Sequence, residues 1–134
     1  MAKQFLNPVA IHKPRGWTHV VTAAAGTTVY VSGQIGRTPE GKVLEGLDAQ
    51  AQQAYANLKA ALAAAGATPA DVVKETIFLV QWDFAPDKLE SLRRAREPLF
   101  GERYPASTLL GVQALGRREY LVEVEVVAVI DARR

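Results

Sequence analysis

The sequence contains no cysteine, only two histidines and one methionine, and aromatic residues make up 7% of its 134 positions. Without cysteine, the chain forms no disulfide, has no thiolate nucleophile and offers no cysteine ligand to a metal. The two histidines, His12 and His19, are not spaced as a metal-binding pair on one face of a helix. We therefore expect neither a metal nor another cofactor.

Long apolar runs are also absent. No segment reaches the length that crosses a membrane, and the N-terminus lacks the apolar centre of a signal peptide, so we expect a cytoplasmic protein without a membrane partner. Hydrophobic residues make up 49% and charged residues 22% of the chain, which is typical of a globular protein. This composition and length predict a single domain over residues 1–134.

The charge pattern gives little indication of a nucleic-acid partner. The formal net charge is only +2, too small to favour nucleic-acid binding by itself. Arg93, Arg94 and Arg96 lie on a predicted helix beside Glu90 and Glu97, which favours a mixed, solvated face over a phosphate-binding track.

Hydrophobic periodicity predicts strands where apolar residues alternate, and helices where they recur at spacings of three and four. The predicted order is a hairpin of strands 20–24 and 27–32 that turns at Gly26, helix 47–65, strand 72–82, a helix from Pro86, strand 108–115 and strand 120–130. A further short strand is predicted near Val9–Ile11. Gly66 is expected to cap the first helix, and Pro98 should kink or end the second helix near 94–97.

This order, β-β-α-β-α-β-β, predicts an α+β fold in which two helices cover one face of a mixed sheet. The other face then has no cover within one copy of the chain. Assembly of several copies would cover this face. The uncovered face therefore predicts sites built between subunits.

The last predicted strand, Tyr120–Ile130, has one wholly apolar face and one face that carries Glu123 and Glu125 among hydrophobic residues. Two interpretations stay open. Both glutamates are solvated on a face turned to water, or Glu125 lies in a partly buried cleft. Desolvation there would raise its pKa toward a value suited to a general base.

Several segments, in this order and at this spacing, together resemble the Rid family, also called YjgF-like. The segments are Ser32-Gly33-Gln34, 50–57 with 65–66, 71–78, 100–106 and 121–125. The resemblance implies a chorismate-mutase-like fold and a homotrimer with a central barrel, outer helices and ligand clefts at the subunit interfaces.

The resemblance also implies a chemistry. Deaminase members of the family hydrolyse reactive enamines and imines to a 2-keto acid and ammonia. Their pocket uses an arginine directly after a Pro-Ala pair to bind the substrate carboxylate, and a late-strand glutamate, matched here by Glu125, to hold the attacking water. An N-terminal aromatic residue of the pocket corresponds to Trp17.

The arginine does not match, because Pro105-Ala106 is followed by Ser107 and Thr108. A charge-assisted contact of this kind is typically worth about 1.5–3 kcal/mol, and a hydroxyl does not replace it. Efficient deamination of 2-aminoacrylate is therefore doubtful, unless Arg15, Arg37 or His19 supplies the missing cation.

Three functions remain in consideration. The first is a hydrolase acting on an uncharged or differently charged imine, enamine or related small metabolite, with Glu125 as general base. The second is a metabolite-binding protein without turnover, and the third, ranked last, is an RNA-cleaving inhibitor of translation. The candidate substrate-binding residues are Trp17, Ser32, Gly33, Gln34, Ser107 and Thr108.

Overall fold

The computed structural model describes residues 3–132 and contains, within them, six strands and two α-helices. A short 3-10 turn, Pro69–Asp71, precedes the fourth strand. Neither helix in this part of the chain is long and apolar enough to cross a membrane. The elements are β1 (Gln4–Leu6), β2 (Val20–Thr22), β3 (Gly26–Ile35), α1 (Leu47–Ala64), β4 (Val72–Val80), α2 (Pro86–Phe100), β5 (Ala106–Val112) and β6 (Val122–Asp131).

Four of the strands form a mixed sheet in the order β3-β6-β4-β5. Strand β6 is antiparallel to both of its neighbours, and β4 is parallel to β5. A parallel pair needs a crossover connection, which α2 provides. The predicted mixed α+β fold with two helices is thus confirmed.

The predicted hairpin around Gly26 is wrong. Strand β2 pairs with β1 in a separate two-stranded sheet, not with β3, and 9–11 is not a strand. Gly26 lies inside β3 opposite Asp131, where a Cβ atom would come within 2.1 Å of the Ile130 carbonyl oxygen. The glycine therefore serves a close approach between strands, which in sequence looks the same as a turn.

The C-terminus of α1 has the predicted glycine cap. Gly66 has a φ of +77° and donates its N–H to Ala63 O at 3.0 Å, while Ala67 N donates to Leu62 O at 2.9 Å. These two bonds are those of a Schellman motif. They satisfy carbonyl groups that the end of the helix would otherwise leave without donors.

Helix α2 does not end before Pro98 but continues to Phe100. Phe100 is buried, and its ring lies edge-on to Tyr55 with the ring centroids 6.4 Å apart. Gly101 N donates to Glu97 O at 2.8 Å, so the last turn keeps a bond after the proline. The packing of the last helical turn thus outweighs the loss of the backbone N–H donor at Pro98. Helix propensity read from the sequence does not predict this packing.

The hydrophobic core lies between the helices and one face of the sheet. The predicted apolar face of the last strand is confirmed, since its alternate side chains from Val122 to Ala128 are buried. The other face is open in the single chain. There Glu123 is half-buried, Glu125 is exposed and Tyr30 is 80% exposed.

Candidate functional site

A buried glutamate, Glu75, lies on the helix-covered face of the sheet. It shares that face of β4 with Ile77 and Leu79 and has no exposed surface. Its carboxylate accepts hydrogen bonds from Tyr55 Oη at 2.5 Å and from Ser107 Oγ at 3.0 Å. Burial of a charge is costly unless the charge is paired and hydrogen-bonded. The folded state therefore requires these contacts.

The cation that pairs with Glu75 is Arg96 of α2. Arg96 Nη2 lies 2.6 Å from Glu75 Oε1, and Nε lies 3.1 and 3.2 Å from the two carboxylate oxygens. Burial lowers the pKa of Arg96, whereas the charge and hydrogen bonds of Glu75, with smaller effects of Tyr55 and Tyr104, raise it, and the net pKa is above its ordinary value. Burial and the negative charge of Glu75 also raise the pKa of Tyr55 well above its usual range. The guanidinium therefore stays charged, and the tyrosine hydroxyl stays a donor.

Arg96 corrects the prediction of a solvated arginine face. Its side chain is only 11% exposed, because it lies one helical turn after the buried Leu92 and points to the core. The prediction is right for its neighbours: Arg93 pairs with Glu90 and Glu97, and Arg94 pairs with Asp48.

The segment around Trp17 lies beside this buried pair. Arg96 Nη2 also donates to the Gly16 carbonyl at 2.9 Å. Thr18 Oγ1 donates to the Tyr104 carbonyl at 2.5 Å, and Thr18 N donates to Pro105 O at 3.1 Å. These bonds hold the chain on either side of Trp17 against the residues that lead into β5 and Ser107.

The Trp17 ring packs among histidines. Its centroid lies 6.0 Å from each of the His12 and His19 rings, and His19 Nε2 is 2.8 Å from the His12 carbonyl. His19 is thus hydrogen-bonded within the segment that carries Trp17. Arg37 Nε donates to Gly41 O within its own loop. Arg96 is the arginine that lies beside Ser107. Within residues 3–132, no group of three or more acidic or histidine side chains is placed to hold a metal ion.

A second set of polar residues lies on the open face of the sheet. Strand β3 has a bulge in which Ser32 and Gly33 together oppose Glu125, since Val31 pairs with Val126 and the next pair is 34 with 124. The extra residue of a bulge has no partner in the ladder, and bulges often lie next to active sites. The structure therefore places Ser32 and Gly33, two of the candidate binding residues, opposite Glu125.

Gln34 has a supporting position in this arrangement. It lies opposite Val124, whose side chain is buried in the core. Its amide donates to the Ser32 carbonyl at 3.0 Å. The Gln34 side chain thus bridges the bulge from within the strand.

Glu123, which sequence reasoning placed only on the exposed face, lies closer to the bulge than expected. A Cβ atom on Gly33 would come within 1.8 Å of Glu123 Oε2. The Glu123 carboxylate therefore covers the Gly33 backbone, and the glycine leaves it the space to do so. Glu123 is half-buried, whereas Glu125 is exposed in the single chain.

The polar row on the open face continues across the sheet. Thr76 lies opposite Glu125, and Thr108 lies opposite Thr76. Lys74 Nζ donates to Thr108 Oγ1 at 2.7 Å. Ser107 points to the other face, because successive side chains of a strand alternate. The side chains of the adjacent residues 107 and 108 thus lie on opposite faces of the sheet.

The sequence-predicted residues therefore divide between two faces of one sheet. Ser32, Gly33, Thr108 and Glu125 lie on the open face, whereas Ser107 lies on the helix-covered face beside the segment that carries Trp17. The sheet backbone separates the two groups.

Sequence reasoning missed Glu75 and Arg96, although one signal was present. Apolar residues at alternate positions of β4, such as Ile77 and Leu79, mark its inward face, and Glu75 falls on that face. A charged residue at such a position requires a partner. The pattern does not say which residue that partner is.

The matches to known proteins agree with this architecture. The profile of the family described as endoribonuclease L-PSP matches residues 8–130. A 2-iminobutanoate/2-iminopropanoate deaminase from Dermatophagoides farinae is 38% identical over 109 residues, which cover 79% of this chain and 80% of that protein. A deaminase of the same name from Salmonella typhimurium is 36% identical over 109 residues, covering 78% and 80%.

The fold is also similar to solved structures. The Rid-family protein YyfB from Yersinia pestis, a protein of unknown function, aligns with a TM-score of 0.88 and 34% identity over 97% of this chain and 100% of that one. Escherichia coli TdcF with bound serine aligns with a TM-score of 0.69 and 26% identity, covering 81% and 85%. By its family profile, its relatives and its fold, the chain belongs to the Rid family of YjgF-like, endoribonuclease L-PSP proteins.

Proposed function

We propose that this protein hydrolyses a reactive imine or enamine in clefts between the subunits of a homotrimer. The observation that carries the proposal is the division of polar residues between the two faces of the sheet. Relatives 36–38% identical bear the name of an imine deaminase, which supports the class of reaction.

The open face of the sheet supports the assembly. It presents Tyr30, 80% exposed, and Leu110, 40% exposed, beside the half-buried Val127 and Val129. An apolar surface of this kind, rimmed by polar residues, is typical of a subunit interface. A neighbouring chain that covers it brings its own Trp17 segment and Ser107 toward the open-face carboxylates.

A carboxylate of the open face is the proposed general base. Glu123 is favoured by its position over the bulge at Gly33 and by its partial burial, while Glu125, the sequence candidate, faces the same bulge. The base takes a proton from a water whose oxygen attacks the imine carbon. The resulting aminoalcohol loses its protonated amine as ammonia and leaves a carbonyl, so one water is consumed for each ammonia released.

Groups at the bulge are the proposed electrophilic partners. The Ser32 hydroxyl and the backbone N–H groups at Ser32 and Gly33 lie at the irregular step of the ladder, where donors are not all used by the neighbouring strand. Such preorganised donors stabilise the charge that develops on the reacting group. Trp17 of the neighbouring subunit would form the apolar wall.

The test is ammonia release from 2-aminoacrylate generated in place, and from its neutral carboxamide. We expect the wild type to act on the carboxamide more efficiently than on 2-aminoacrylate. Glu123→Gln should lose activity by about 10²-fold or more, as expected when a general base is removed. Glu125→Gln is the matched comparison on the same face. Ser107→Arg should raise activity toward the anion.

The mass of the protein in solution, from light scattering, tests the assembly in the same samples. If wild type accelerates neither reaction, but Glu123→Gln or Glu125→Gln changes the binding of the product, the protein binds metabolites without turnover. If the chain is a monomer that is fully active, the proposal of a site between subunits is contradicted.

A further inference from the structure

Arg96 has one guanidinium nitrogen that the buried pair does not use. Its Nε and Nη2 atoms donate to Glu75, and Nη2 also donates to the Gly16 carbonyl. Among residues 3–132, no hydrogen bond is formed by Nη1. This nitrogen carries two N–H donors, and they are free to bind something other than the protein.

The free nitrogen is accessible, although the residue as a whole is 91% buried. In the described residues, every fully buried side-chain nitrogen and oxygen has a hydrogen-bond partner. Because Nη1 has none, it must reach the surface of the chain. Gly16 lies next to this nitrogen, since a Cβ atom built on the glycine would be 3.6 Å from Nη1.

This donor lies close to two of the candidate substrate-binding residues, Ser107 and Trp17. Arg96 Nη2 and Ser107 Oγ bind the same oxygen of Glu75, at 2.6 and 3.0 Å. The guanidinium therefore lies beside the residue that follows Pro105-Ala106. Gly16, which contacts the guanidinium from the other side, directly precedes Trp17, so Nη1 lies near the segment that carries the proposed pocket wall.

The charge of Arg96 is already balanced. Glu75 holds the guanidinium by two nitrogens in the core, so Arg96 and Glu75 together present no net charge to a ligand. An anionic ligand would meet Arg96 with the Glu75 carboxylate directly behind it. A neutral acceptor, such as an amide or ketone oxygen, meets a directed donor without that repulsion.

We propose that Arg96 Nη1 anchors the substrate, and that Glu75 sets the specificity by restricting the anchor to uncharged hydrogen-bond acceptors. The proposal rests on the function proposed above and names its substrate class: a neutral, carbonyl-bearing imine or enamine in place of a 2-imino acid. Glu75 thus acts as a positioning residue, since it touches Arg96 and not the ligand.

The experiment compares the binding of pyruvate and pyruvamide, two probes of the same skeleton that differ in charge. Binding is followed by ligand-observed NMR at fixed ionic strength. The wild type should bind pyruvamide more tightly than pyruvate. Glu75→Gln frees the charge of Arg96 and should raise the affinity for pyruvate at least about tenfold, a change of about 1.4 kcal/mol.

Two further variants separate the anchor from the stability of the fold. Arg96→Lys keeps a cation for Glu75 but has no second terminal nitrogen, so it should fold and lose pyruvamide binding by about tenfold. Glu75→Gln combined with Arg96→Gln removes both charges and should lose the gained pyruvate binding. Arg93→Gln, on the exposed side of the same helix, is the control and should change neither affinity.

The proposal is overturned if the wild type binds pyruvate more tightly than pyruvamide, if no variant binds either probe, or if a folded Arg96→Lys protein binds pyruvamide as the wild type does. These readouts do not require turnover. A protein that shows the predicted binding pattern but no hydrolysis would contradict the proposed reaction and leave the anchor intact.

Discussion

The two faces of the four-stranded sheet hold acidic side chains in opposite conditions. On the helix-covered face, Glu75 has no exposed surface and accepts bonds from three different side chains. On the open face, Glu125 is exposed and Glu123 lies half-buried over a glycine. Only the first carboxylate is held by a complete set of partners.

This difference separates a carboxylate that the fold depends on from carboxylates that remain free for chemistry. A buried ion with all its partners is expensive to disturb, whereas a carboxylate at a strand bulge is free to accept a proton from a bound water. In the proposed function, each chain carries the proposed base on one face and the proposed anchor on the other. Four comparisons test how different the two faces are.

The largest expected effect follows removal of the buried cation. Arg96→Leu leaves the Glu75 carboxylate buried without its counter-ion, which should lower the free energy of unfolding by about 3–5 kcal/mol. On the open face, Glu125→Gln should change it by less than about 0.5 kcal/mol. Urea unfolding at one fixed protein concentration measures both. Equal effects would show that the two faces do not differ as described.

The next effect comes from the neutral donor to Glu75. Tyr55→Phe removes the hydroxyl that lies 2.5 Å from the carboxylate, and the loss of one bond to a buried charge costs about 1–3 kcal/mol. The aromatic packing against Phe100 is kept. The matched control is Tyr30→Phe on the open face, since its ring is 80% exposed in the single chain and the variant keeps that ring for the proposed subunit interface. Its unfolding curve should follow that of the wild type.

Alkaline pH tests the same tyrosine in the wild-type protein. The folded state raises the pKa of Tyr55 well above its usual value, so the folded protein holds this proton more tightly than the unfolded chain does. The stabilisation is complete below about pH 10, the unfolded pKa, and is lost as the pH rises further, by up to about 1.4 kcal/mol per unit. Tyr55→Phe should lose stability less steeply above that pH. Parallel slopes in the two proteins would contradict the assignment.

The smallest expected effect is found by comparing two adjacent residues of β5. Ser107→Ala removes one donor to Glu75, which keeps its bonds to Arg96 and Tyr55, and should cost about 0.5–1.5 kcal/mol. Thr108→Ala points to the open face and should change the free energy of unfolding by less than about 0.5 kcal/mol. Thermal unfolding of the two variants distinguishes the faces, and a larger loss from Thr108→Ala would reverse their order.

The sequence predicts those features that depend on local patterns. Alternation in the last strand predicts its buried face, and the glycine after the alanine-rich helix predicts the Gly66 cap. The same local rules fail where a distant contact decides. Gly26 serves a close approach to Ile130, and the helix passes Pro98 because Phe100 is buried.

The candidate site shows the same limit. Periodicity places Glu75 on an inward face, but its partner Arg96 comes from a helix 21 positions further along the chain. A pattern of apolar residues gives the face of each element and not the pairing of side chains between elements. For this reason the sequence does not predict that Arg96 lies beside Ser107.

The claim that each site combines the open face of one chain with the anchor of another is tested most directly by mixing two variants that are each impaired on their own. Glu123→Gln lacks the proposed base, and Arg96→Lys lacks the proposed anchor. After the subunits exchange in equal amounts, about a quarter of the sites in a cyclic trimer combine an intact base with an intact anchor. Hydrolysis of the neutral carboxamide should then return to about a quarter of the wild-type rate. Activity that remains at the level of the two parents, in trimers shown to be mixed, would contradict a site shared between chains.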